Sequence, residues 1–135
     1  MKTLQKLAFA AMVALVSVQT VPAQEPQQPD INEIINKLLE SLTNSYKLDD
    51  VQIFYVDSIL QYNYPAMMDE IEATRKTGAS NSETFQAVSD KWMAATDDAL
   101  EKVFTEDQWR KYMKSSFGKE KKRRDKRIAD RGPVR

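Results

Sequence analysis

"LDDVQIFYVDSIL", residues 48–60, decides how the chain is read. It opens on an apolar residue, Leu48, followed by an oxygen-bearing side chain, Asp49, with Gln52 three positions further on. An aspartate at a helix start accepts from the amide three residues later, and a glutamine at that later position reaches back to the capping amide. The run beyond this start has helical spacing: Val51, Tyr55, Ile59 and Tyr62 recur every three or four residues, with Ile53, Val56 and Leu60 widening the apolar face. The arrangement returns in "FTEDQWRKYM", residues 104–113, where Phe104, Thr105 and Gln108 take the three places. Capping chemistry alone accounts for both stretches, and "SNSE", residues 80–83, offers a third box from Ser80 and Glu83.

Working outward, Asp30 caps an upstream helix whose apolar positions Ile31, Ile34, Ile35, Leu38, Leu39 and Leu42 lie on one face, with a break near "TNSYK". Downstream, Pro65 lacks an amide donor and its ring crowds the preceding turn, so the second helix is expected to be interrupted and bent there. It resumes with Met67, Met68 and Ile71 and stops at "KTG", where Arg75 and Lys76 suit the negative helix end and Gly78 supplies a left-handed cap. A third helix carries the stripe Phe85, Val88, Trp92, Ala95, Ala99 and Val103. A fourth starts after Thr105, presents Trp109, Tyr112, Met113, Ser116 and Phe117, and ends its packed part at Gly118. Strand-type alternation is absent, so the expected class is all-α: four helices, the long second one bent at Pro65, extended or bundle-like.

Composition bounds the setting. Lys2 and Lys6 precede an apolar run of 12 residues, Leu7–Val18, and "TVPAQ" places Val21 and Ala23 at the small-residue positions of a signal peptidase site. Residues 1–23 therefore read as a signal peptide cleaved after Ala23, residues 24–30 as a flexible polar leader, and the destination as the periplasm. The apolar run is short of the roughly 20 residues that span a bilayer. No cysteine is present to carry a lipid anchor or a disulfide, and no histidine to bind zinc or act as a base. Residues 24–118 hold 9 basic and 17 acidic residues, whereas residues 119–135 hold 9 basic and 3 acidic, so an acidic helical domain (31–118) carries a basic C-terminal tail.

The two motifs, "LDDVQ" and "FTEDQ", resemble the Spy/CpxP family of periplasmic proteins, small exported all-helical chains in which two "LTxxQ" motifs open two of the helices. Asp49 stands where the family has threonine and Phe104 where it has leucine. The resemblance implies a thin, curved helical homodimer acting as an ATP-independent chaperone or in envelope stress signalling. Some members bind metal through histidines, which this chain lacks.

Adjacent carboxylates (Asp49 with Asp50, Asp69 with Glu70, Asp97 with Asp98, Glu106 with Asp107) point about 100° apart on a helix and do not share a site, so they read as solvated faces or first-turn acids. With no nucleophile–base pair assembled, the chain reads as a non-enzyme without cofactor or metal. Tyr55, Phe85, Trp92 and Trp109 sit on helical stripes and read as core; Phe54, Tyr62, Tyr64, Met67 and Met68 exceed what one small core covers and read as a dimer or client surface. In the tail, Lys119, Lys121, Lys122, Arg123, Arg124, Lys126 and Arg127 read as a solvated segment or a rigid helix extension, able to meet anionic lipid, polysaccharide or acidic client segments; export argues against nucleic acid. The expected function is binding of unfolded or envelope proteins, with an adaptor held to an anionic surface by the tail as the alternative.

Overall fold

The computed structural model describes residues 30–78 and 81–132. The expected signal peptide, the expected leader before Asp30, Ser80 and residues 133–135 lie outside the described residues. Among the described residues the protein is entirely helical: α1 (Ile31–Tyr46), α2 (Asp50–Lys76), α3 (Ser82–Val103), α4 (Glu106–Lys114) and α5 (Ser116–Arg131).

Local chemistry sets the boundaries. Asp30 accepts from the Asn32 amide at 2.9 Å to start α1, which runs through the expected break to Tyr46 and stops because Lys47 turns left-handed at φ 54. The chain stays helical across Pro65, so the expected interruption does not occur, and the 27 residues of α2 extend for about 40 Å. Gly78 takes φ +73 beyond its end, as the "KTG" reading required. Asn81, not Ser80, caps α3, accepting from the Thr84 amide at 2.8 Å.

The expected single fourth helix is two. Ser115 is extended (φ −81, ψ 179) and separates α4 from α5, and Gly118 lies inside α5 instead of ending the packed region. A Cβ on Gly118 would land on the Met113 carbonyl, so a glycine is what lets α5 start this close to α4. Of the two readings of the basic segment, the helix extension is the one present, and it runs through Arg131.

Hydrogen bonds fix the topology. Gln52 meets Val103, Asn63 meets Thr96 and Glu70 meets Lys91, so α2 and α3 run antiparallel. Arg124 meets Asp97 and Arg127 meets Asp90, so α5 lies antiparallel on α3. The core has two zones. Ile35, Leu42, Val56 and Leu60, all at or below 1% exposure, join α1 to α2, each side chain of this size contributing about 1.5–3 kcal/mol by burial. An aromatic knot joins the ends of α1 and α3 to α4 and α5: Tyr46 lies 5.5 Å from Phe104, while Tyr112 stacks on Trp109 at 4.9 Å and on Phe117 at 5.4 Å.

Candidate protein-binding face

The two repeated motifs come together. Asp49 accepts from the Gln52 amide at 2.8 Å while Gln52 Oε1 accepts from the Asp49 amide at 3.1 Å. Thr105 and Gln108 do the same at the start of α4, at 3.3 and 2.9 Å. Each glutamine then reaches across. Gln52 Nε2 donates to the Val103 carbonyl at 3.1 Å, the last residue of α3, and Gln108 Nε2 donates to the Tyr46 carbonyl at 3.0 Å, the last residue of α1. The two side-chain amides also bond to each other, at 2.6 and 3.2 Å. Every helix ending or starting at this corner therefore has an orphan backbone group satisfied by a glutamine. Leu48 and Phe104 are buried in the aromatic knot beneath, so the six motif residues form a structural clamp.

The surface lies further along α2. Its buried side is Gln52, Val56, Leu60 and Asn63, the last donating to Thr96 Oγ1 at 3.0 Å. That choice turns the sequence stripe of Val51, Tyr55 and Tyr62 outward, and Phe54 with it: exposures are 64% for Val51, 67% for Phe54 and 71% for Tyr62. Tyr55, read as core, is exposed. Among the expected surface residues, Phe54, Tyr62 and Met68 are exposed, whereas Met67 is half-buried and Tyr64 packs against the core. Burial raises the Tyr64 phenol, with nearby Arg124 opposing and Asp97 adding to the shift.

Tyr55, Ile59 and Tyr62 of α2, with Ala95 and Ala99 of α3, line a groove of about 340 Å³. Ala95 also lines a larger groove of about 750 Å³, floored by Ala87, Val88 and Ala94 and walled by Ile128 and Arg131 of α5. Ala95 therefore borders both grooves, one against the α2 aromatics and one against α5. Tyr62 meets Trp92 edge-on at 6.4 Å. Glu70 braces this region, accepting from Lys91 at 2.6 Å and Trp92 Nε1 at 2.7 Å; the Lys91 hydrogen bond, outweighing burial, lowers its carboxyl pKa.

Under α5, two carboxylates that were read as ordinary surface acids or passed over are buried. Asp97, 2% exposed, accepts from Tyr112 Oη at 2.7 Å and pairs with Arg124 at 3.3 Å, while its neighbour Asp98 stays exposed. Burial raises the Asp97 carboxyl against the lowering effects of Tyr112, Arg124 and Lys121. Burial also raises the Tyr112 phenol, reinforced by Asp97. Asp90, 1% exposed, accepts from Arg127 at 2.8 Å, from Arg131 and from Gln86 at 3.1 Å. Burial opposes ionisation there, but these hydrogen bonds outweigh it and hold the carboxyl at about 2. The sequence does carry a signal for this pairing: acids at 90 and 97 and arginines at 124 and 131 share a seven-residue spacing. Of the remaining tail cations, Lys121 pairs with Asp125 at 2.6 Å, Arg123 with Glu120 and Lys126 with Asp130 at 3.0 Å, while Lys119 and Lys122 face solvent.

Among the described residues no cluster of three or more potential ligands could hold a metal ion, and no helix is long and apolar enough to cross a membrane. Compared with protein families, curated proteins and solved structures, the chain matches none.

Proposed function

We propose that the protein is exported and binds unfolded or partly folded envelope proteins without nucleotide and without chemistry, as a chaperone-like member of the group that the paired motifs resemble. The observation that carries this reading is the exposed apolar strip of α2, Val51, Phe54, Tyr55 and Tyr62, two of whose residues line a groove with Ala95 and Ala99 of α3. Contiguous apolar surface on a small protein marks a place where other chains dock. Aromatic side chains supply large contact area at low entropic cost, and Met68 at the far end adapts to varied partners. Part of this strip also suits a homodimer contact, and a dimer that leaves the α3 grooves open is compatible with client binding.

The test is suppression of light scattering from an aggregating, chemically unfolded client in nucleotide-free buffer. Wild-type protein is expected to suppress aggregation and Phe54→Ser with Tyr62→Ser to lose most of that effect at unchanged helicity. Equal suppression by both proteins, or none by either, refutes the reading.

The alternative, an adaptor on an anionic surface, is favoured by one feature: α5 keeps Lys119, Lys122, Arg123 and Lys126 outward. Salt-sensitive binding to vesicles of acidic lipid, lost on Lys119→Gln with Lys122→Gln, would support it.

A further inference from the structure

α5 is attached differently from the other helices. Phe117, stacked on Tyr112, and Gly118, against Met113, anchor its first turn. Beyond them its one buried residue is Arg124, and its one large aliphatic side chain, Ile128, is 36% exposed. What holds residues 119–131 to α3 is charge: Arg124 on Asp97, and Arg127 with Arg131 on Asp90, two helical turns apart. The inner pair is incompletely satisfied, since Asp97 Oδ2 and Arg124 Nε are buried without a hydrogen-bond partner. A buried ion pair whose remaining polar atoms go unmatched contributes little net stability, because desolvation offsets its attraction. By contrast, α1 to α4 are joined by fully buried aliphatic side chains and the aromatic knot. A helix held this way opens at lower free energy than the body it lies on.

The same helix walls the larger groove. Ile128, Arg131 and Gly132 form its α5 side, facing Ala87, Val88 and Ala94. Moving residues 119–131 away removes that wall and exposes the Asp90 and Asp97 carboxylates, 1% and 2% exposed in the docked state.

We propose that residues 119–131 form a reversible arm, pivoting beyond Gly118, whose ion pairs on Asp90 and Asp97 keep the α5 wall of the client-binding groove in place, so that their release dismantles it. This inference rests on the protein-binding reading above and adds its regulation. Groups facing the two carboxylates are Tyr112 from α4, Tyr64 from α2, Gln86 from α3, and Lys121, Arg124, Asp125, Arg127 and Arg131 from α5. Release frees at least three guanidinium groups and two carboxylates into water, so added salt favours the open state.

Hydrogen exchange of the full-length protein tests the arm, and the aggregation assay tests its consequence. Between about 0.1 M and about 1 M salt, where the screening length falls from about 10 Å to about 3 Å, amides of 119–131 are expected to lose protection by about ten-fold while those of α1 to α4 stay unchanged. Asp90→Asn is expected to produce the same selective loss at low salt, and Lys122→Gln, on the outward face, to leave it unaltered. Aggregation suppression should fall in step with arm opening. Exchange of 119–131 in step with α3 under every condition overturns the arm. Selective opening without a loss of an otherwise present suppression overturns its regulatory role, whereas selective opening with no suppression in any state refutes the protein-binding reading itself.

Discussion

Single side chains at two places carry most of the specificity of this fold. At the helix corner, Gln52 and Gln108 each satisfy their own cap and a carbonyl at the end of another helix, so truncating either strands several partly buried polar groups. Gln52→Ala and Gln108→Ala are each expected to cost about 1–3 kcal/mol in urea unfolding, and the double variant to cost less than the sum, because the two share one network. Additive losses would mean two independent caps. The capping halves of these motifs were legible in the sequence, since a box is a local pattern; the cross-links were not, because nothing local says that two helix starts meet. Beneath α5, Asp90 is a carboxylate held at about 2 from an ordinary 3.8. Its stabilising effect is present above the ordinary value and fades as pH falls through about 2. Asp97, raised by burial, has the opposite sign and partly offsets it. Protonation of Asp90 is therefore expected to lower exchange protection of α5 below about pH 4, and Asp90→Asn should remove that acid limb; a fall near neutrality would place its control elsewhere.

At the scale of elements, the periodic reading located α1 to α3 well because each has a capping residue and a helical apolar repeat. It drew the apolar face of α2 too broadly. Val51 and Tyr55 lie on that face with Val56 and Leu60, yet the buried side is the one that also carries Gln52 and Asn63, whose amides find partners on α3 and α4. Hydrophobicity counts cannot show that a polar side chain will be satisfied after folding, which is what decides its burial. Nor can local spacing show that Arg124 and Arg127 of the basic segment will meet acids distant in sequence. The elbow between α4 and α5 supplies the test at this scale. Gly118→Ala places a methyl group on the Met113 carbonyl and is expected to lower stability by about 1–3 kcal/mol, the usual cost of overpacking, with the loss read as a lower Tm. An unchanged Tm and unchanged exchange of α5 would show that the elbow has slack.

At the scale of the whole molecule, a tightly packed helix corner carries the exposed apolar strip of α2. The clamp and the aromatic knot fix the corner, leaving the long antiparallel α2–α3 pair to present aromatics beside one groove and α5 to wall another. The surplus of apolar residues on α2 was legible from composition and spacing; the grooves, which exist only when α3 packs between α2 and α5, were not. The central claim is that this face takes up other polypeptides, and site-specific photocrosslinking addresses it most directly. A photoreactive phenylalanine analogue replaces Tyr62 on the exposed strip, with Lys37 on the solvent side of α1 as the comparison site, and each protein is mixed with a chemically unfolded client without nucleotide. The account predicts adducts with client from position 62 and none from position 37. Crosslinks from position 62 to a second copy alone, undiminished by excess client, or equal client capture at both positions, would contradict it.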